Sequence, residues 1–157
     1  MYRKILVPID DSRTSARGLL EAIRLARKLG ARLRLVHIVE QFSVYRGMGG
    51  AAFDVDGMLA FLRAEGERLV AKAMAVARKH RVAAESAIFE NAAYRTADLI
   101  VEDAGQWRAD LIVMGTHGRR GVSRLVMGSD AEIVVGTSPV PVLLVRFPEA
   151  GARQKKG

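Results

Sequence analysis

The stretch ADLIVMGTHGRRGVSRLVMGSDAEIVV, residues 109 to 135, decides the fold prediction. It opens with ADLIVM (109–114), a nearly continuous apolar run typical of a strand buried on both faces. Residues 115 to 128 then hold four glycines, three arginines and one histidine, and a short helix is predicted from Ser129 to Val135. A connection that only turned the chain would need fewer residues and no arginine. The stretch therefore predicts a strand, a loop with binding chemistry and a helix.

The rest of the chain repeats this alternation. Four further apolar runs are predicted as strands: KILVPI (4–9), RLRLVHIV (32–39), VAAESAIF (82–89) and VLLV (142–145). Helical spacing is predicted between them, starting after Asp11 or Ser12 and stopping at Gly30 in the first case. Residues 40 to 56 lack periodicity and predict a long loop. Alternating strands and helices predict a single α/β domain with a mostly parallel sheet covered on both faces.

Composition narrows the class of protein. The chain has 157 residues and no cysteine, which fits one domain and excludes disulfides and thiolate metal sites. The apolar run after Met1–Lys4 is too short for a signal peptide and contains Pro8. No stretch approaches the roughly 20 apolar residues of a membrane span. We therefore expect a cytoplasmic protein with no membrane partner.

The formal net charge is +8, carried mostly by arginine. A basic balance can indicate nucleic acid, an anionic membrane or an acidic ligand. Here the cations are spread through predicted helices, and no aromatic residues interleave with them as a single-strand stacking platform requires. We expect most of them to lie on solvated helix faces and do not expect nucleic acid as a partner.

The loop after the fourth strand has the spacing Gly-x2-Gly-x9-Gly-Ser over residues 115 to 129. It lacks the Gly-Lys-Ser/Thr ending of a Walker A motif, and it does not follow the first strand as a Rossmann fingerprint does. Glycines allow close approach of the backbone to a ligand, and a helix starting at Gly128-Ser129 offers free N–H groups to an anion. Arg119 and Arg120 add forked donors. Each residue alone could simply end a strand or cap a helix, but together they predict a phosphate site.

Three segments carry a resemblance: ILVPIDDS (5–12), ADLIVMGTHGRRGVSRLVMGS (109–129) and PVPVLLVR (139–146). They resemble the ATP-binding branch of the universal stress protein family, in the adenine-nucleotide α-hydrolase-like superfamily. The resemblance covers residues 1 to 147 and leaves 148–157 as a basic tail that we expect to be disordered. It implies a single-domain, Rossmann-like three-layer α/β/α sandwich with a five-stranded parallel sheet of order 3-2-1-4-5. It also implies a homodimer joined through the last strand, residues 140 to 146.

The same resemblance implies where ATP would bind. Asp10 would contact the ribose hydroxyls, the segment 36–39 would line the adenine, and the glycine loop would hold the phosphates. The expected ATP-binding residues are Pro8, Ile9, Asp10, Val36, His37, Ile38, Val39, Met114, Gly115, His117, Gly118, Arg119, Arg120, Gly128, Ser129 and Asp130.

Three of these residues leave alternatives open. Asp130 departs from the family, in which a small or apolar residue commonly follows the Gly-Ser pair. Its carboxylate could weaken phosphate binding, favour a nucleotide bound to Mg²⁺, or face away as a helix-start charge. His117 could contact phosphate or act as a base, although a solvated loop histidine is the simpler interpretation. His37 lies within a strand, where packing is the simpler role. No His/Asp/Glu cluster has metal-ligand spacing, so the metal stays unknown.

The expected function is that of an ATP-binding regulatory protein of the stress response, with at most slow ATP hydrolysis. No activated nucleophile or water-positioning residue is visible, so no catalytic residue is predicted. One alternative is a nucleotide-processing enzyme of the same superfamily, which would turn over ATP with an acceptor. The other is a basic nucleic-acid-binding protein, whose binding would fall steeply with salt.

Overall fold

The computed structural model describes residues 1–41, 54–91, 94–116 and 127–146. Strands and helices alternate through these residues: β1 (Lys4–Pro8), α1 (Arg13–Leu29), β2 (Arg32–Glu40), α2 (Val55–Lys79), β3 (Ala84–Asn91), α3 (Thr96–Trp107), β4 (Leu111–Gly115), α4 (Ser129–Thr137) and β5 (Val142–Val145). The predicted loop at 40–56 is shortened at both ends, because Glu40 belongs to β2 and α2 begins at Val55. Its remainder, 42–53, lies outside the described residues.

All strands from β1 to β5 form one parallel sheet of order β3-β2-β1-β4-β5. The fold and strand order predicted from the resemblance are therefore confirmed. The strand order reverses between β1 and β4, whose Ile5 and Leu111 are paired. The predicted boundary at 147 and the tail 148–157 lie outside the described residues and stay predictions.

Strand alternation divides the interior into two cores. The core below α1 and α2 is built on side chains such as Ile5, Val7, Leu35 and Val113. The core below α3 and α4 is built on Leu6, Val36, Ile112 and Met114. Because β1 and β4 are covered on both faces, their residues are almost continuously apolar, as ILV and LIVM in the sequence predicted. Each fully buried side chain of this kind contributes about 1.5–3 kcal/mol to folding.

Helix ends follow local chemistry. The Ser12 hydroxyl caps α1 by accepting from Ser15 N at 3.0 Å, which decides between the two predicted caps. Gly30 ends α1 in the left-handed conformation, with φ of 64°, as predicted. Asp54 caps α2 by accepting from Gly57 N at 2.8 Å. No helix within the described residues is long and apolar enough to cross a membrane.

Candidate functional site

The carboxyl ends of β1 and β4 lie side by side at the reversal of strand order, the place where open parallel sheets bind ligands. The amino-terminal ends of α1 and α4 lie at this same edge, because each helix begins shortly after one of these strands. We call this region the carboxyl edge and define it by residues 8–15, 36–39, 114–116 and 127–130.

The loop after β1 is held in a tight turn. Ile9 N donates to the carbonyl oxygen of Val36 at 2.7 Å, and Asp10 N donates to Ser15 Oγ at 3.0 Å. Ser12 N donates to Asp10 Oδ1 at 2.8 Å, which fixes the orientation of the carboxylate. Asp10 is half-buried there. The carboxylate that the resemblance places on the ribose is thus oriented by the backbone N–H of Ser12, the residue that caps α1.

Position 115 requires glycine for a packing reason that the sequence did not predict. A Cβ placed on Gly115 would lie 2.7 Å from the carbonyl carbon of Thr14, and a Cβ on Gly18 would lie 3.3 Å from Gly115 N. The first turns of α1 therefore pack directly on the end of β4. The close backbone approach at Gly115 is to this helix, whether or not its N–H also serves a ligand.

The two ends of the glycine loop meet. Gly128 N donates to the carbonyl oxygen of Thr116 at 2.8 Å, and Thr116 N donates to Val145 O at 3.1 Å. The start of α4 is thereby fixed beside the end of β4. Four of the predicted site residues, His117, Gly118, Arg119 and Arg120, fall between these ends and lie outside the described residues.

The start of α4 has no side-chain cap among the described residues. Gly128 is the residue before the helix, with φ of −61° and ψ of 146°, which any residue can adopt. Its backbone conformation therefore does not require glycine. Ser129 is the first helical residue and its side chain is exposed, so the sequence alternative in which Ser129 caps the helix is wrong. The half-buried Asp130 and the exposed Glu132 follow in the first turn.

The segment 36–39 does not present its side chains together. Val36 and Ile38 belong to the face that also holds Met114. His37 points to the opposite face, where a Cβ on Gly66 of α2 would lie 2.6 Å from its Cδ2 atom. The same Cβ would lie 3.4 Å from Val39. Val36 and Met114 are therefore core residues and Ile38 is the half-buried residue of their face, whereas the side chains of His37 and Val39 pack against α2.

His37 is buried and its Nδ1 lies 2.8 Å from the carbonyl oxygen of Ile9. Because a carbonyl only accepts, Nδ1 carries the proton and donates it. This bond ties β2 to the loop that holds Asp10. The packing role considered for His37 in the sequence therefore describes its side chain well.

Hydroxyl side chains are a part of this edge that the sequence reasoning missed. Thr14, Ser15 and Thr116 are each less than 10% exposed, and Ser12 Oγ lies 3.1 Å from Thr14 Oγ1. Their signal was present in DSRTS (11–15), a hydroxyl-rich helix start directly after a buried strand. No group of three or more His, Asp or Glu residues that could hold a metal occurs in the described ranges.

Comparison with known proteins identifies the family of the chain. The model of the universal stress protein family matches residues 1–146. A universal stress protein of Thermus aquaticus is 38% identical, over 93% of this chain and 100% of its own. The crystal structure of a family protein from Burkholderia pseudomallei has a TM-score of 0.74 at 30% identity, covering 92% of this chain and 96% of that one. The universal stress protein of Archaeoglobus fulgidus in complex with dAMP has a TM-score of 0.63 at 26% identity, covering 92% and 98%. This chain belongs to the universal stress protein family.

Proposed function

We propose that the chain binds an adenine nucleotide at the carboxyl edge, with ATP as its ligand, and acts as a regulatory module that responds to nucleotide occupancy. The observation that carries the proposal is the bond from Gly128 N to Thr116 O. It brings a helix N-terminus to the reversal of strand order, next to the turn that contains Asp10. The dAMP complex of the Archaeoglobus fulgidus relative supports an adenine nucleotide as the class of ligand.

Each part of the nucleotide has a matching group at this edge. The N–H groups in the first turn of α4 and the positive end of its dipole favour phosphate beside Gly128 and Ser129. The carboxylate of Asp10 accepts hydrogen bonds from ribose hydroxyls. The half-buried Ile38 can offer apolar contact to a base, whereas Val36 and Met114 on the same face are buried in the core. Mg²⁺ bound to the phosphates would offset the charge of Asp130, which follows Ser129.

Slow turnover is the expected limit of catalysis. The imidazole of His37 donates from Nδ1 to Ile9 O and packs against Gly66, so its side chain is directed toward α2. The Asp10 carboxylate accepts from Ser12 N and holds the turn after β1. Both groups therefore serve to position the backbone, which favours binding over the activation of a water molecule.

Two measurements test the proposal. Native mass spectrometry of gently purified protein should detect an adenine nucleotide released on unfolding. Steady-state assays should then show turnover of ATP that is slow and unchanged by candidate acceptors. Fast turnover that depends on an acceptor would instead support the nucleotide-processing enzyme. Protein that carries no nucleotide and binds none on titration would contradict the proposed function.

We also propose that the protein forms a homodimer through β5. β5 pairs only with β4 among the described strands, and its exposed edge side chain is Leu143, at 38%. The other edge strand, β3, carries Glu85 and Glu90, and charged residues discourage edge pairing. Val142 and Leu144 pack against the core, so lysine at either position would also destabilise the fold. Leu143→Lys changes only the exposed side chain of the edge.

Light scattering tests this assembly. The wild type should be a dimer, and Leu143→Lys should be a monomer because two apolar edges would then each carry a charge. Phe61→Lys is the matched control, since Phe61 is also an exposed apolar residue, at 57%, but lies on α2. A monomeric wild type, or equal dissociation of both variants, would contradict the β5 interface.

A further inference from the structure

The amino edge of the sheet, opposite the proposed nucleotide site, gathers cations from separate parts of the sequence. β1, β2 and β3 begin there, and α1, α2 and α3 end there because helices run antiparallel to the strands in this fold. The exposed basic side chains of these ends are here called the amino-edge cations. They are Arg3, Arg27, Lys28, Arg32, Arg78, Lys79, Arg81 and Arg108.

Backbone hydrogen bonds hold these ends together. Arg32 N donates to Arg3 O at 2.9 Å, and Leu33 N donates to Ala83 O at 2.9 Å. Arg3 and Arg32 line an open depression of about 510 Å³, with the half-buried Lys4 and Asp110. The edge is therefore one continuous surface.

The amino-edge cations outnumber the carboxylates described beside them, so this surface carries a positive charge. Asp110 Oδ2 accepts from the backbone N–H groups of Arg3 and Lys4, at 2.8 and 2.9 Å. Asp103 and Glu85 are both bound to Arg34. Within the described residues, no amino-edge cation forms an ion pair with a carboxylate. A field of one sign attracts an extended anion.

Two of the amino-edge cations have a left-handed backbone conformation, which is unfavourable for residues other than glycine. Arg81 and Arg108 have φ of 58° and 57°, and they are the non-glycine residues with positive φ in the described ranges. Both follow the last residues of a helix, where Gly30 serves α1 and where glycine is the preferred residue. A helix dipole favours nearby cations. The dipole of α2 is already compensated by Arg78 and Lys79 in its last turn, so it does not explain a third cation at Arg81. An arginine at a position where the backbone favours glycine suggests that its charge has a function.

The surroundings favour phosphate over other anionic partners. Met1 and Tyr2 are the exposed large apolar side chains that adjoin β1, which is too little for the apolar centre of a protein interface. Trp107 is half-buried beneath Lys4, Arg32 and Arg34, at 5.0, 5.5 and 5.9 Å from the ring centre, so it offers no face for stacking an unpaired base. Most of the amino-edge cations are arginines, whose forked donors suit phosphate oxygens.

We propose that the amino edge binds the phosphate backbone of double-stranded nucleic acid, without preference for sequence. This site is separate from the proposed nucleotide site and does not depend on it. From the sequence, nucleic acid was only an alternative and was not expected as a partner, because the cations are spread through the predicted helices. The fold brings cations of distant segments together at one edge.

Fluorescence anisotropy with a short labelled duplex of random sequence tests the proposal. The wild type should bind saturably, with an affinity that falls steeply as salt rises. The double variant Arg81→Gly/Arg108→Gly should bind about 10-fold more weakly at low salt and lose about 2 from the salt slope. Its melting temperature should rise, because glycine suits both backbone conformations. A purely structural role of the two arginines would not combine lower affinity with higher stability.

Control variants make the test specific. Arg24→Gln/Lys72→Gln removes the same charge from exposed positions within α1 and α2 and should leave duplex binding nearly unchanged. Arg3→Gln/Arg32→Gln, elsewhere on the amino edge, should weaken it as the first variant does. Saturating Mg-ATP should not displace the duplex.

Several results would overturn the proposal. They are absence of saturable duplex binding by the wild type, equal loss in the control, and displacement by Mg-ATP. Binding to phosphatidylserine vesicles that depends on the amino edge, without duplex binding, would assign the surface to a membrane and overturn it as well.

Discussion

The two edges of the sheet are built from different interactions. At the amino edge, Arg34 is fixed by side chains: its Nε and Nη2 donate to Asp103 at 2.8 Å each, and its Nη1 donates to Glu85 at 2.6 Å. The hydrogen bond to Asp103 and, less strongly, that to Glu85 raise the pKa of Arg34. At the carboxyl edge, backbone groups and hydroxyls hold Asp10, Thr116 and Gly128. The amino edge therefore adds a buried side-chain ion pair to its backbone hydrogen bonds, whereas the bonds described at the carboxyl edge are made by backbone groups, hydroxyls and the Asp10 carboxylate.

Removing Arg34 should have the largest effect on stability. Arg34→Leu leaves the carboxylate of Asp103, which is 3% exposed, without its bidentate partner. We expect the free energy of unfolding in urea to fall by about 3 kcal/mol. Nucleotide affinity of the folded fraction should stay at the wild-type value, because the two edges are separate.

Two further variants sharpen this prediction. Arg95→Leu breaks an exposed ion pair with Asp98 and should leave the unfolding midpoint unchanged. Arg34→Leu/Asp103→Leu should recover most of the lost stability, since no charge is then left buried. If Arg34→Leu unfolds at the wild-type midpoint, the amino edge does not depend on this pair.

A methyl group on Gly115 should affect both stability and the site. Gly115→Ala would push α1 away from β4 at Thr14, and we expect a loss of about 1–3 kcal/mol together with weaker nucleotide binding. Gly105→Ala in α3 is the control, because nothing lies within 4 Å of its added Cβ. That change should stabilise the protein by about 0.8–1 kcal/mol. Equal unfolding midpoints for the two variants would refute the packing explanation of Gly115.

The smallest predicted effect concerns Asp130, half-buried in the first turn of α4. Like charges about 4 Å apart repel by roughly 1–4 kcal/mol, depending on the effective dielectric constant. Asp130→Val should therefore strengthen ATP binding in EDTA by about 5- to 10-fold, near 1 kcal/mol. With excess Mg²⁺ the gain should shrink or reverse, because a bridging cation turns repulsion into attraction.

Glu132→Val is the control for this helix turn, since Glu132 carries the same charge but is exposed. Its effect on ATP binding should be smaller under both conditions. If Asp130→Val binds ATP as the wild type does, with and without metal, Asp130 is only a helix-start residue.

The elements of the fold were predictable because a buried strand is a continuous apolar run in the sequence. The apolar runs of the strands and the end of α1 at Gly30 follow from residues close in sequence. Long-range packing was harder to predict. Nothing within 36–39 indicates that His37 and Val39 meet Gly66 of α2, and nothing near Gly115 indicates Thr14. The amino-edge cations could not be recognised as one surface from the sequence, because only the topology brings the ends of α1, α2 and α3 next to the starts of the strands.

The central claim is that the carboxyl edge binds an adenine nucleotide through the start of α4. Calorimetric titration of Mg-ATP into the wild type and into Gly128→Val tests it most directly. Valine can adopt the backbone conformation of Gly128, so the variant should fold normally while its side chain occupies the space beside the first N–H groups of α4. The prediction is saturable binding by the wild type, loss of that binding in Gly128→Val, and wild-type binding by Arg81→Gly/Arg108→Gly. Unchanged affinity in a folded Gly128→Val protein would contradict the account.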